Sequence, residues 1–230
     1  MGTSTITSAW VAGWAVSRST PAPVVEPWGY RIDVGLSGHV FRHVLPEPDE
    51  PSVRKLCETV TEPGAWLKVP APPERVAEWI TPGWTVPDDP GFMTFREPRP
   101  SAVPVPPDGY TVRTETRGGL FLVRVAAPDG SPAARGQVAT TGEGATRDSA
   151  THVGAARAGA TAVVDQVETW PHHRRRGLGR LVMRTLETAA AEAGATTGVL
   201  SATRDGLPLY TSLGWRLQGP LTGVVRGTDG

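Results

Sequence analysis

The feature that most limits how this chain can fold is the stretch from Ala162 to Arg180, AVVDQVETWPHHRRRGLGR. Its first half, Ala162–Thr169, is a β-branched run of the kind that fills a central strand. A glycine-bearing loop follows. From Gly177 to Ala193 the residues Leu178, Val182, Leu186, Ala189 and Ala193 recur at helical spacing, and Gly194 stands where a C-terminal cap belongs. With a further strand expected at Thr197–Ala202, this part of the chain is committed to mixed α/β structure.

The loop carries the chemistry. Helix N-termini present unpaired backbone N–H groups and a partial positive charge, an arrangement that suits a pyrophosphate. Gly177 and Gly179 have no side chains and would let phosphates approach the backbone, while Arg174, Arg175, Arg176 and Arg180 add positive charge. A Walker loop is excluded, because no Lys-Ser/Thr follows the glycines. A dinucleotide Gly-x-Gly-x-x-Gly is also absent, since Val182 stands three residues after Gly179. What is left is Arg-x-x-Gly-x-Gly, a pattern that takes its weight from its neighbours.

Composition bounds the alternatives. Among 230 residues, 23 basic side chains balance 23 acidic ones and 39% are hydrophobic, which excludes a disordered polyelectrolyte, a histone-like protein and an acidic solvating tail. One cysteine, Cys57, can form neither an internal disulfide nor a cysteine-based metal site, and reads as a small core residue. No run approaches the ~18 apolar residues that span a bilayer, and the single cysteine fits a reducing cytoplasm, the expected location. The apolar Trp10–Val16 run has no preceding basic residue, as a signal peptide would require, and residues 1–27 are taken as a loose leader.

The two halves differ in kind. Residues 1–108 hold 18 of the 23 prolines and six of the eight tryptophans, with 9 basic against 13 acidic residues; residues 109–230 hold 14 basic and 10 acidic. The proline-dense 98–108 reads as a stiff linker between a 28–97 α/β region and a 109–230 domain. In the first region the pattern gives a strand pair in Tyr30–Leu45, helices at Asp49–Val60 and Pro72–Ile80, and extended chain at Trp66–Val69 and Trp84–Phe95. In the second, strands are expected at Tyr110–Thr114, Gly119–Ala126 and Ala134–Thr141, the last two joined by a Pro128-Asp129-Gly130 turn. Gly142–Gly159 reads as a mobile loop, Asp205–Leu213 as a short helix, and Trp215–Gln218 with Leu221–Val225 as a closing strand pair.

The strand, the Arg174–Gly179 loop, the long helix and the later Leu209-Tyr210-Thr211-Ser212-Leu213-Gly214-Trp215 together resemble the GCN5-related N-acetyltransferase (GNAT) superfamily. The resemblance covers roughly 110–226. It implies a mixed-sheet α/β fold in which acetyl-coenzyme A lies between splayed fourth and fifth strands. Val167 and Thr169 would then hydrogen-bond the acetyl and pantetheine portion through their backbones. The amides of Arg176, Gly177, Leu178, Gly179 and Arg180 would hold the pyrophosphate, helped by Arg174 and Arg175. Thr203 stands where the family often has asparagine, and Pro208 within the short helix is a second departure. The first strand and two helices of the fold are not visible between 109 and 119. Either the N-terminal half supplies them or it is a smaller, degenerate copy of the fold, and the second reading is preferred here.

By the same resemblance, Tyr210 would give a proton to the departing thiolate, against the plainer role of a core aromatic. Asp165 and Glu168 are the candidate bases on the strand; their parity sends them to opposite faces, and Glu168, nearer the acetyl end, is preferred. The competing role for Glu168 is an ion pair with a nearby arginine. His172 and His173 are adjacent, without carboxylate or cysteine at ligand spacing, and are read as turn residues rather than metal ligands. Arginines beside glycines, without interleaved aromatics, fit a phosphate cofactor better than nucleic acid. The expected activity is acetyl transfer from acetyl-coenzyme A to a small-molecule primary amine, with neither metal nor membrane, by a chain for which a homodimer is open. The alternatives are a non-catalytic coenzyme A-binding module and a protein N-acetyltransferase.

Overall fold

The computed structural model describes residues 2–88, 91–142 and 160–227. Apart from Gly142, the loop expected at Gly142–Gly159 lies outside them. Up to residue 96 the chain forms α1 (Thr3–Arg18), β1 (Val24–Glu26), β2 (Gly29–Leu36), β3 (His39–Val44), α2 (Glu50–Thr59), β4 (Trp66–Val69), α3 (Pro73–Trp79), β5 (Trp84–Thr85) and β6 (Gly91–Arg96). It continues with β7 (Thr111–Arg117), β8 (Leu120–Ala126), β9 (Pro132–Thr141), β10 (Ala160–Thr169), α4 (Leu178–Glu192), β11 (Ala195–Ala202), α5 (Leu207–Ser212) and β12 (Arg216–Arg226). A 3-10 turn, Pro171–His173, joins β10 to the loop before α4.

These elements gather into two compact units. The first takes residues 1–94, 201–211 and 215–230; the second takes 95–200 and 212–214. The division does not follow the proline-rich segment. The C-terminal strand β12 lies in the first unit because it pairs antiparallel with β4, Val224 opposite Leu67, and with β5. Where two closing strands are expected, β12 is one strand of 11 residues.

In the first unit β1, β2 and β3 run antiparallel and β3 is parallel to β4, with α2 as the crossover. Helix α2 begins where its sequence says it should: the Asp49 carboxylate accepts from the Ser52 N–H at 2.7 Å, and Pro51 occupies the first turn. Its inner face, Val53, Leu56 and Cys57, joins Leu45, Leu67, Val69, Val76 and Trp79 in one apolar core. Burial pushes the Cys57 thiol up, so it is a packing residue. Residues 3–18 are no loose leader. They form a helix that buries Ile6, Trp10, Val11, Trp14 and Ala15, because the apolar run forms one face of a 16-residue α1. Arg42 of β3 lies with its guanidinium 3.8 Å from the Trp14 ring centroid and 5.5 Å from that of Trp10.

The second unit carries the order β7-β8-β9-β10-β11, antiparallel except for the parallel β10–β11 pair that α4 connects. Helix α4 packs on β8, β9 and β10, burying Leu178, Leu181, Val182, Met183 and Leu186. A Cβ on Gly136 would meet Val182 at 2.6 Å, which is why β9 carries glycine beneath the helix. Glu187 is also buried on α4, held by Arg184 at 2.9 Å and Arg96 at 3.5 Å. The proline-rich segment is fastened to the same helix: the Ser101 N–H donates to Thr188 Oγ1 at 3.4 Å, and that hydroxyl donates back to the Ser101 carbonyl at 3.2 Å.

Candidate cofactor-binding site and catalytic residues

The site begins with a defect in β10. Cross-strand pairing with β9 runs regularly to Asp165, opposite Gln137, then resumes at Glu168, opposite Arg135. Between these pairs two residues of β10, Gln166 and Val167, face one of β9, Gly136, so they form a bulge, and Gln166 takes φ +54°. The bulge shifts the parity on which a face assignment depends. Gln137 and Arg135 point to one side of β9, so Asp165 and Glu168 share a face rather than opposing one another. That face is opposite α4, because Gly136 lies beneath the helix.

On its other side β10 pairs with β11 only as far as Val163, opposite Val199. Beyond that point the two parallel strands part. Val167 and the end of β10 therefore lie beyond the last residue pair that β10 makes with β11. Val167 and Thr169 both lie on this segment. The Thr169 carbonyl accepts from Arg174 Nε at 3.3 Å, which folds that arginine back over the strand end.

After the 3-10 turn the chain passes through Arg174, Arg175 (φ +63°) and Arg176 to Gly177 (φ +80°), the N-cap of α4. The N-cap glycine has no side chain to cap this helix, and Leu181 is the residue whose N–H reaches the Gly177 carbonyl, at 3.0 Å. The amides of Leu178, Gly179 and Arg180 thus precede the helix ladder, the position in which an α-helix offers donors outward. A Cβ built on Gly177 would meet nothing within 4 Å, so the chain is open on that side of the loop. Arg174, Arg175, Arg176 and Arg180 are all exposed around it, and Arg180 Nη2 reaches Ser212 Oγ at 3.5 Å. A pyrophosphate fits this donor set of backbone amides and guanidinium groups.

Glu168 is not buried. Its side chain is 47% exposed and accepts from Arg135 through Nε at 3.0 Å and Nη2 at 2.9 Å. The arginine pair weighed against the base role is thus formed. Thr203 and Tyr210 belong to the first unit, the loop to the second. The Thr203 hydroxyl accepts from the Gly206 N–H at 3.2 Å and its carbonyl from Leu207 at 3.1 Å, so Thr203 opens α5. Tyr210 is buried on α5, its ring edge-on to Trp215 at 6.4 Å, and its carbonyl accepts from the Trp215 N–H at 3.0 Å. Leu213-Gly214-Trp215 thereby closes the helix, with Gly214 at φ +86°. Two features of the site escape sequence reasoning: the β10 bulge, and the 3.0 Å contact between His173 Nδ1 and the Tyr110 hydroxyl.

The architecture is that of an acetyltransferase: a mixed sheet with a bulged central strand, parted from its parallel neighbour, running into an uncapped helix. The family model described as "Acetyltransferase (GNAT) family" matches residues 75–215, and the chain belongs to that family. Among solved structures it is similar to a GCN5-related N-acetyltransferase from Kribbella flavida, at 20% identity over 100% of this chain and 97% of that one, with a TM-score of 0.63. It is also similar to an acetyltransferase of the GNAT family from Novosphingobium aromaticivorans, at 18% identity over 97% of each chain, with a TM-score of 0.56. At these identities the likeness is one of fold. No curated protein matches the chain.

Proposed function

We propose that this protein transfers the acetyl group of acetyl-coenzyme A to a primary amine of a small molecule by direct attack. The observation that carries the reading is the open end of α4. Three helix amides, two positive-φ loop residues and four arginines follow the end of β10, beyond its last pair with β11. Acetyl-coenzyme A supplies the activated acyl group as a thioester. The amides of Leu178, Gly179 and Arg180 bind the pyrophosphate, with Arg174, Arg175, Arg176 and Gly177 around it. The backbone at Val167 and Thr169 aligns the pantetheine arm, and a peptide N–H at Val167 polarises the thioester carbonyl.

The amine attacks in its uncharged form, after solvent takes the ammonium proton; as the N–C bond forms and the C–S bond breaks, Tyr210 gives its phenolic proton to the departing thiolate, and the proton the amine nitrogen then loses returns through water to Tyr210. The reading rests for this residue on the Tyr210–Trp215 motif, and its burial against Trp215 fixes the ring. Glu168 enters as the partner of Arg135, and substitution decides between that role and the base. No helix among the described residues is long and apolar enough to cross a membrane, and the acceptor we propose is a soluble, cationic amine, in keeping with the four-charge acidic excess of residues 1–108.

The test is coenzyme A release from acetyl-coenzyme A over a panel of small amines and lysine peptides, read as free thiol. Turnover on a small amine is expected. Thermal protection by coenzyme A without turnover on any amine would make the chain a binding module. Turnover on peptides alone would make it a protein acetyltransferase.

A further inference from the structure

We propose that Tyr110 and His173 form a latch that sets the geometry of the phosphate loop, which makes both of them positioning residues for the pyrophosphate end of coenzyme A. The inference rests on the proposed cofactor site and assigns work to a histidine which that site leaves idle.

The Pro171–His173 turn is fastened at its start, where the Trp170 N–H donates to the Ala133 carbonyl of β9 at 3.0 Å. Within the turn, His173 N–H reaches the Trp170 carbonyl at 2.9 Å and Arg174 N–H the Pro171 carbonyl at 3.3 Å. These bonds are local and shape the turn. Its far end is where the loop departs, through Arg174, Arg175 and Arg176 to Gly177, and there the exposed Arg174 side chain reaches back to the Thr169 carbonyl at 3.3 Å. Tyr110 adds a second tie, at the residue before the loop. Its hydroxyl lies 3.0 Å from His173 Nδ1, across 63 residues of sequence, and the two rings meet edge-on at 5.7 Å and 88°. Tyr110 is itself held: it is 9% exposed and its N–H donates to the Pro107 carbonyl at 3.0 Å, just before β7. His172, one residue earlier than His173, is exposed. The adjacent histidines thus divide into one with a partner and one facing solvent.

The loop beyond His173 works by angle. Arginine side chains can track a phosphate that moves, but backbone amides cannot, since their direction is set by the turn that delivers them. Two left-handed residues, Arg175 and Gly177, leave the loop few other conformations. Releasing the turn at His173 therefore misdirects the amides toward the pyrophosphate. The pantetheine arm, aligned by β10 itself, stays unaffected.

Tyr110→Phe removes the hydroxyl and keeps the ring. On the full-length chain, dissociation constants are measured by calorimetry for coenzyme A and by ligand-observed NMR for pantetheine, which lacks the pyrophosphate and the nucleotide. We expect coenzyme A to bind roughly three- to tenfold more weakly, the loss of one neutral hydrogen bond, with pantetheine unchanged. His173→Ala should give the same selective loss, and the double variant no more than either single one, because both break one bond. Unchanged coenzyme A affinity in both single variants overturns the latch. So does an equal loss for both ligands, which would make the pair part of the general scaffold. A wild-type protein that binds pantetheine or nothing, and gains nothing from the pyrophosphate, overturns the cofactor reading itself and the latch with it.

Discussion

Acid should destabilise this protein through His43, and the size of the effect can be worked out. His43 lies on β3 with 4% of its surface exposed, beside Trp28 at 6.1 Å and Phe41 at 6.5 Å, and neither ring nitrogen has a hydrogen-bond partner among the described residues. Burial, with the nearby Arg31 charge adding to it, lowers its pKa to about 4 from 6.5. Above pH 6.5 the imidazole is neutral in both folded and unfolded chains and contributes no pH dependence. Between 6.5 and 4 the unfolded chain takes up a proton that the folded chain refuses, so stability falls as pH falls through that window. At pH 5 the loss from this one group is about 2 kcal/mol, and it levels off near 3 kcal/mol below pH 4. Urea unfolding monitored by tryptophan fluorescence suits the assay, because six of the eight tryptophans precede residue 85. The decisive comparison is His43→Phe. It keeps an aromatic ring between Trp28 and Phe41 and removes the titration, while carboxylates and the other histidines contribute equally to both proteins. The stability lost between pH 7 and 5 should be smaller in the variant by about 2 kcal/mol. Equal losses would mean that His43 is not held neutral, and the reasoning would fail.

Four further outcomes are expected. Gly177→Ala meets no neighbour but forces a side chain into φ +80°, a cost of about 1–2 kcal/mol, so Tm should fall by a few degrees and the stabilisation by coenzyme A should shrink in a thermal-shift titration. Tyr210→Phe should lower turnover by roughly 10- to 1000-fold while changing coenzyme A affinity less than about tenfold; undiminished steady-state turnover would remove Tyr210 as the acid. Glu168→Gln breaks a half-exposed ion pair of about 0–1 kcal/mol and should lower turnover less than tenfold, whereas a loss of about 100-fold or more would restore it as the base. A fragment of residues 105–230 should fail to fold when judged by circular dichroism and solubility, because it lacks β4, the strand against which β12 pairs.

The legible parts of the sequence are local and periodic. The β10–loop–α4 unit can be read because β-branched residues, glycines and a 3.6-residue repeat succeed one another without interruption. So can α2, whose Asp49 cap and early proline mark its start. The N-terminal helix passes for a leader because α1 opens with threonines and no side-chain cap, leaving its apolar middle without the usual boundary signals. Gly219 and Pro220 stand between the two closing strands expected from the sequence, yet neither residue takes a positive φ and β12 runs straight through them. The bulge has no signal at all, since Gln166 rather than glycine adopts the left-handed conformation there. That single residue reverses the relative facing of Asp165 and Glu168. The Arg135–Glu168 pair is equally invisible to a local reading, because 33 residues separate its members.

The two units also show why a repeated strand order need not repeat a site. In the first, antiparallel strands lead to β3, then α2, then a parallel β4; in the second they lead to β10, then α4, then a parallel β11. The crossover helix starts in the same place in both, yet the two helix ends are chemically opposite. At α2 the Asp49 carboxylate already takes the Ser52 amide, Pro51 has no N–H to offer, and Glu47, Asp49 and Glu50 place three negative charges within four residues. At α4 the N-cap is Gly177, which has no side chain to take an amide, Leu178, Gly179 and Arg180 all carry an N–H, and Arg174, Arg175, Arg176 and Arg180 are cationic. The dipole favours an anion at both ends. At α2, however, the protein's own carboxylates provide that anion, and a pyrophosphate would meet repulsion and few donors. The acidic cap that makes α2 easy to recognise as a helix is therefore the same feature that closes it to a nucleotide. At α4 the missing cap leaves the helix start with less support of its own and leaves the amides for a ligand.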